Sequence, residues 1–449
     1  MPVRVAIVGG GFSGTLLAIN LLRHGARVVL IERDGARLAR GMAYGTRDPA
    51  HLLNVRASNM GAFPDDPGHF LRWLGLGPGL GADKGDQANL FVPRLTYGAY
   101  LHDLLAAAGR EASGQLRIVK GEAIAMERRA GGLSLRLDDG RVVESDALVL
   151  ATGNAAPADI PLFSDLSSQV VARNPWVGDS GNAREVLLVG TGLTAVDWIL
   201  SLDRAGFAGR ITAISRRGLV PRAHALVGPN VAPVFQPEAR GSHLLRHVRR
   251  RSEAVGWRHA VDELRPHTQR LWRAHDAAAQ ARFLRHLRPW WDVHRHRLAP
   301  EVAQRIAQLQ AEGRLECLAG SLISAHPDGD AALVIWRGRH AQAQESRRFD
   351  RIILCTGPQA DITRDPQPLL GQLLANGLAR PDAHRLGLDV DHQCHLRNTL
   401  GQRQSGLFAI GPMTKGEAWE IVAVPDIRRQ VWDLARFLTD SHWVGGEGL

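Results

Sequence analysis

Cysteine is scarce in this chain. Three residues, Cys317, Cys355 and Cys394, are spread over 449 positions, far from one another. They form neither a disulfide framework nor a zinc-ligand spacing, and a reducing cytoplasm is the compartment that such usage suggests. Long apolar runs are also lacking. The first twenty residues are apolar enough to imitate an export signal, but Gly9, Gly10, Gly11 and Gly14 break them into strand, turn and helix. No other stretch offers the roughly 20 apolar residues that a membrane-spanning helix needs, so a soluble protein with no membrane partner is expected. Acidic residues are the minority charge, 45 against 55 Lys and Arg, for a formal net charge of +10. That excess favours anionic partners: nucleotide phosphates, anionic substrates or nucleic acid.

What is present begins with a β-branched run, Val3 to Val8, of the kind that makes a buried parallel strand. It enters Gly9-Gly10-Gly11-Phe12-Ser13-Gly14, a GxGxxG fingerprint, and then a helical run, Thr15 to His24, stopped by Gly25. Arg27 to Ile31 reads as a second strand and ends at Glu32, with Arg33 behind it. Each part has a use in holding a dinucleotide. Gly9 makes the tight turn, Gly11 lets the backbone approach a pyrophosphate, and Gly14 lets helix and strand pack closely. The helix N-terminus offers free N–H groups to the phosphates. Glu32 stands roughly 20 residues on, where an acid accepts from a ribose diol. A lone GxGxxG is weak evidence; one set between a strand and a helix with the acid in place is strong.

A second unit follows in mid-chain. Glu185 to Val189 is a buried-type strand, Gly190-Thr191-Gly192-Leu193-Thr194-Ala195 is a GxGxxA, and a helix runs on through Val196, Ile199 and Leu202. The next strand, Arg210 to Ile214, ends in Ser215-Arg216-Arg217 rather than in an acid. Arginines there can pair with a 2′-phosphate, which leans towards NADPH over NADH; the bland alternative is an arginine facing solvent. Asp146 to Gly153 and Asp350 to Gly357 share one pattern: an acid, an apolar strand and a Thr-Gly turn. Each reads as the strand that closes a nucleotide-binding sheet, bringing Thr152-Gly153 and Gly357 to a dinucleotide. Gly406 to Gly411 is a last apolar strand before Pro412.

This order resembles the two-dinucleotide-binding-domain flavoproteins. The resemblance implies an α/β fold in which a Rossmann-like FAD domain carries an inserted Rossmann-like NAD(P) domain, with FAD and NAD(P)H as cofactors. The expected division is 1–160 and 350–449 for the FAD domain and 161–349 for the NAD(P) domain, with a helical insert at about 241–312. The superfamily's terminal strand usually brings an acid to the ribitol; Gly411-Pro412 stands there instead, so no carboxylate is assigned. Further phrases, Gly41 to Thr46, His51 to Val55, Ala62 to Leu74, Asn174-Pro175-Trp176, Pro289 to Arg297 and Trp419 to Gln430, are similar to a bacterial NAD(P)/FAD-binding family of the YdhS type, which includes an HpyO-type FAD-dependent urate hydroxylase. That resemblance implies a monooxygenase of a small polar or anionic substrate, with urate to 5-hydroxyisourate as the first substrate to consider.

The residues narrow the chemistry. Thiol–disulfide exchange needs a reactive cysteine pair near the flavin, and none of the three cysteines supplies one. A Phe-Gly-His-Trp linker of the Baeyer–Villiger type is missing before the second fingerprint, where only Asn174-Pro175-Trp176 occurs. Hydroxylation with molecular oxygen is the leading expectation. The alternatives are an oxidoreductase that passes electrons to a quinone or protein acceptor, and a redox-sensing FAD-binding protein without turnover. The candidate catalytic residues are Asn54, Glu420 and Arg428. Asn54, beside Val55, bonds either the isoalloxazine edge or a nearby backbone turn. Glu420 faces either the reactants or one of the many arginines. Ala423 and Val424 precede Pro425, which suits the first turn of a helix whose N–H groups point at the flavin; Arg428 lies in that turn or on a solvated face. His51 reads as a loop histidine, and Trp290, Trp291, His294 and His296 read as core and face residues rather than metal ligands. The Arg-rich segment from Gly241, densest at Arg249-Arg250-Arg251, reads as a solvated helix face or an attractor of anionic ligands, in preference to a nucleic-acid surface.

Overall fold

The computed structural model describes residues 2–76, 89–176, 181–225, 237, 240–359 and 361–441. Sixteen strands are placed among them: β1 (Arg4–Val8), β2 (Arg27–Glu32), β3 (Leu116–Lys120), β4 (Ala123–Arg129), β5 (Gly132–Leu137), β6 (Val142–Ser145), β7 (Ala147–Leu150), β8 (Val171–Ala172), β9 (Glu185–Val189), β10 (Arg210–Ser215), β11 (Leu315–Asp328), β12 (Ala331–Gly338), β13 (Gln344–Phe349), β14 (Arg351–Leu354), β15 (His395–Arg397) and β16 (Arg403–Ala409). They make two nucleotide-binding sheets and a small antiparallel sheet, β4-β5-β6.

The first sheet has the order β15-β16-β7-β1-β2-β3. β1 pairs in parallel with β2 and β7, β2 with β3, and β7 with β16. Val5, Ala6, Ile7 and Val8 are all buried, because helices and the small sheet cover both faces of a parallel strand. The fingerprint helix Phe12–Arg23 is buried from Phe12 to Leu22. A helix with no polar face belongs inside a layer, and this one packs between the sheet and helices Arg94–Glu111 and Val424–Leu438.

The second sheet repeats the plan in the order β13-β12-β11-β10-β9-β14-β8. β9 lies between β10 and β14, parallel to both. The two strand-opening acids do the same job in each sheet. Asp146 accepts from the Arg4 backbone N–H at 2.8 Å, and Asp350 accepts from the N–H groups of Arg184 at 2.8 Å and Glu185 at 3.0 Å. Each acid therefore anchors the closing strand to the start of its neighbour.

Two expected boundaries move. β14 pairs with β9 and β8, so the NAD(P) unit does not end at 349 but includes 351–354. The first unit has resumed by Ile362, which packs into its core. The insert also ends sooner than 312. Helix Pro300–Ala311 buries Val302, Ile306 and Leu309 against the second sheet and is the crossover into β11. The insert proper runs from Gly241 to Arg295 as a fifteen-residue helix, Gly241–Val255, followed by short helices, with a π-turn at Phe283–Leu287. No helix among the described residues is long and apolar enough to cross a membrane.

The two units are tied together by polar contacts. Arg94 pairs with the buried Asp197 of the second fingerprint helix at 2.9 Å. The His51 Nε2–H reaches the Asp197 carbonyl at 3.0 Å and Ser201 at 2.9 Å, while the Thr46 hydroxyl donates to Nδ1 at 2.8 Å. His51 is thus a packing histidine.

Candidate functional site

All the parallel strands of the first unit deliver their C-terminal ends to one edge, where order reverses between β1 and β7. Ligands of open α/β sheets bind in such a crevice. Gly9 sits there with φ +106°, and a Cβ on it would lie 2.5 Å from the Ala151 carbonyl oxygen. A Cβ on Gly14 would lie 1.9 Å from the Gly9 carbonyl oxygen, so only glycine lets the helix approach. Gly11 faces Gly41 across a gap that a Cβ would close to 3.3 Å. Glu32, at the end of β2, accepts from the Gly10 and Asp34 N–H groups at 2.8 Å and 2.9 Å. Thr152 donates to the Met413 sulfur at 3.1 Å, and Gly153 turns at φ +77°. The residues present fit the pyrophosphate and ribose of FAD. Ser13 stands against Gly411, Phe12 packs among Tyr44 and Tyr97, and the exposed Arg33 pairs with Glu122 at 3.0 Å.

The position that lacks an acid is filled from another element. The Gly411 N–H donates to Gln430 Oε1 at 2.7 Å, and the Gln430 amide donates to Thr414 at 3.0 Å. Gln430 lies on helix Val424–Leu438, whose N-cap is Ala423. Arg428, on the same helix, is half-buried and donates to the Gly61 carbonyl at 2.8 Å, so it clamps the 59–61 loop. Asn54 and Val55 are half-buried; the Asn54 carbonyl accepts from His224 at 3.0 Å. Burial pushes the His224 imidazole down to about 4, so it is neutral at pH 7.

The second fingerprint opens into a cavity of about 1580 Å³ between the units. Its lining includes Gly190, Thr191, Gly192, Leu193, Thr194, Arg216, Arg217 and Gly357 from the NAD(P) unit, Gly153 from the FAD unit, and Glu420. Gly9, Gly11, Glu32, Asn54, Val55 and Arg428 are not part of that lining. Gly190 repeats Gly9: φ is +125° and a Cβ would lie 2.3 Å from the Cys355 carbonyl oxygen. Gly192 differs, since a Cβ there would meet nothing within 4 Å. Thr191 is fixed by Ser215 at 2.9 Å and by the Leu219 carbonyl at 2.6 Å.

Six cations line the cavity, Arg216, Arg217, Arg285, Arg288, Arg339 and Lys415, against two carboxylates, Asp292 and Glu420. Arg216 is exposed, with no hydrogen bond or ion pair among the described residues. Arg217 instead donates to the Arg285 and His286 carbonyls at 3.4 Å and 3.3 Å. Those carbonyls belong to the π-turn, where the helical ladder is broken and acceptors come free.

The insert roofs this cavity. It is docked on the FAD unit by Trp272, which donates to the Gly416 carbonyl at 2.7 Å and stacks on Trp419 at 4.8 Å, and by Arg273, paired with Glu417 at 2.8 Å. Glu420 is the deepest anchor. Its carboxylate accepts from the Trp291 indole N–H at 2.8 Å and lies 3.3 Å from Arg295 and 3.7 Å from His296. Burial raises its pKa, but His296, Arg295 and the indole outweigh burial and bring it down to about 2. Glu420 is therefore a fixed anion at neutral pH. Sequence reasoning singled out Glu420 but missed Arg288, Asp292, Lys415 and Trp419 as cavity residues; His296, which it set aside as packing, also faces the cavity.

Residues 6–155 match a family model described as FAD-NAD(P)-binding. Among solved structures, ornithine hydroxylase from Pseudomonas aeruginosa superposes over 98% of this chain and 100% of its own, with a TM-score of 0.64 at 16% identity. L-lysine 6-monooxygenase from Pseudomonas syringae does so over 98% and 99%, with 0.65 at 15% identity. Thioredoxin reductase from T. acidophilum covers 97% of both chains, with 0.54 at 12% identity. The fold is accordingly the two-domain α/β architecture of FAD/NAD(P)-binding flavoproteins, and the cofactors are FAD and NAD(P)H.

Proposed function

We propose that this chain is an FAD-dependent, NAD(P)H-consuming monooxygenase that hydroxylates a small polar or anionic molecule. The observation that carries the reading is the single cavity that both nucleotide units share under the insert. At about 1580 Å³ it exceeds the roughly 300–1,000 Å³ of a one-ligand site, which leaves room for a substrate beside the coenzyme. The monooxygenase neighbours support the same reading. Against disulfide reduction, Cys317, Cys355 and Cys394 are all unpaired. Burial pushes the thiols of Cys355 and Cys394 up to about 12, so neither offers a thiolate at pH 7.

FAD, when bound, would supply the redox chemistry between NAD(P)H and oxygen. The chain positions the partners. The glycine cradles would hold the pyrophosphates, and the insert roofs the space between them. Urate, suggested by the family resemblance, is the first substrate to try. The test is NAD(P)H oxidation by the yellow protein, in air and without oxygen, with and without urate. Urate-stimulated, oxygen-dependent oxidation with loss of urate is the expected result. Oxidation that ignores urate and is sustained without oxygen once a quinone is added as acceptor would instead favour an electron-transferring oxidoreductase, and no oxidation at all a sensor.

The lean towards NADPH rests on Arg216, the unpartnered cation at the end of β10. Arg216→Ala should raise the half-saturating NADPH concentration about tenfold, the ~1.4 kcal/mol of one charge-assisted contact, while half-saturation by NADH stays put. Equal losses for both coenzymes would move Arg216 away from the 2′-phosphate.

A further inference from the structure

Of the six cations that line the cavity, only Arg288 has a carboxylate partner among the described residues, and Lys415 is the one that comes from the FAD unit. Arg288 and Asp292 face each other at 3.4 Å, and Glu420 is taken by Arg295 at 3.3 Å and Trp291 at 2.8 Å. Lys415 has only a neutral partner, the Asn154 side-chain oxygen at 2.9 Å. Among the described residues no carboxylate lies within ion-pair distance of its ammonium. The side chain is half-buried on the turn after β16 and lines the cavity, whose wall also includes Gly153 of one unit and Thr356 of the other.

A half-buried ammonium with no carboxylate beside it keeps its charge uncompensated, and proteins pair such groups or leave them for a ligand. An ammonium has three donors, and Asn154 uses one. We infer that Lys415 is the counter-ion for an anionic group of the bound substrate, so that the substrates are small organic anions. This rests on the monooxygenase reading and gives it a substrate class. The position fits: Lys415 sits beside Pro412 and Met413, next to the FAD unit's Thr-Gly turn, whereas the coenzyme's phosphate cations, Arg216 and Arg217, come from the end of β10.

The surrounding charges agree. Burial, aided by Arg288, pushes the Lys415 ammonium down to about 8, with Asp292 and Glu420 opposing. Arg288 and Asp292 from the insert and Glu420 from its own turn are the charged groups that face it. An anion binding to the ammonium form holds tightly below pH 8 and loses affinity as pH rises through it. Arginine at 415 would keep its charge throughout.

The test uses the FAD-loaded protein with bromide as a probe that presumes no substrate. Crystals of wild type and of Lys415→Met are soaked in bromide, and anomalous density is sought at residue 415 with and without NADP⁺. Bromide beside Nζ that disappears in Lys415→Met and survives NADP⁺ is the expected result. In solution, flavin absorbance reports bromide binding. Affinity at pH 7 should fall at least tenfold in Lys415→Met, while Lys415→Arg should keep at pH 9 the affinity that wild type loses. Displacement by NADP⁺ would assign Lys415 to a coenzyme phosphate and overturn the inference, as would a wild-type site without bromide. The monooxygenase reading fails separately, by a wild-type flavin that NADPH does not bleach.

Discussion

Gly14→Ala is expected to abolish FAD binding and to destabilise the fold, whereas Gly192→Ala should leave flavin and fold intact and weaken only NAD(P)H. The two glycines fall at different places in two similar motifs, Gly14 third in its GxGxxG and Gly192 second in its GxGxxA, and the space around them is opposite. A Cβ at 14 would stand 1.9 Å from the Gly9 carbonyl oxygen and 3.2 Å from the Ala151 side chain. Neither backbone can retreat, because Gly9 holds φ +106° in a turn pressed against Ala151, and the helix behind Gly14 is buried along its length. Relief requires moving the helix away from the sheet, and overpacking of this kind costs about 1–3 kcal/mol or more before the pyrophosphate cradle is counted. At 192 a Cβ meets nothing within 4 Å. The protein should melt within about 2 °C of wild type and purify yellow, but the methyl group occupies space needed by the coenzyme. A ten- to hundredfold rise in half-saturating NAD(P)H corresponds to about 1.4–2.8 kcal/mol of lost contact. Retained flavin content in Gly14→Ala, or unchanged coenzyme affinity in Gly192→Ala, would contradict the assignment of the two cradles.

That contrast also marks how far the sequence could be read. Both fingerprints, Glu32 and the two Thr-Gly strands were legible because their signals are local: strand, turn and helix follow within thirty residues. The boundary at 349 was not. Asp146 to Gly153 and Asp350 to Gly357 have the same pattern, and only the pairing of 351–354 with β9 and β8 says which sheet the second belongs to. Nor was the end of the insert, because helix Pro300–Ala311 continues the same Ala- and Arg-rich composition while burying its apolar face on the sheet. The cavity's far end was hidden for a different reason. Arg288 and Asp292 meet Lys415 and Glu420 only through folding of the insert across more than a hundred residues, and lysines or arginines in an arginine-rich chain carry no local mark of their destination. Gln430, which takes the Gly411 N–H in place of the missing acid, is equally silent in sequence.

Removal of the Glu420 carboxylate loosens the insert from the FAD unit, and this is the larger of the remaining effects. Glu420 is 6% exposed and adopts φ +71°, a left-handed conformation that costs a side-chain-bearing residue about 1–3 kcal/mol. The strain is tolerated because the carboxylate accepts from Trp291 and lies within ion-pair distance of Arg295 and His296. Glu420→Ala keeps the strain and leaves Arg295, itself buried, without its nearest anion, so a loss of about 3–5 kcal/mol is expected. Glu420→Gly removes the same ion pair but relieves the backbone, and should recover about 1 kcal/mol of that loss. If the alanine variant were as stable as the glycine one, the left-handed turn would not be under strain. Protonation reaches the same state reversibly. With a folded-state pKa of about 2 against an ordinary 4.5, the carboxylate contributes about 3 kcal/mol that is present above pH 4.5 and is lost as pH falls towards 2. Acid should therefore destabilise wild type over that range more than it does Glu420→Ala, with indole fluorescence from Trp291, Trp272 and Trp419 reporting release of the insert. Parallel acid profiles for the two proteins would remove Glu420 from its place as the anchor of the cavity roof.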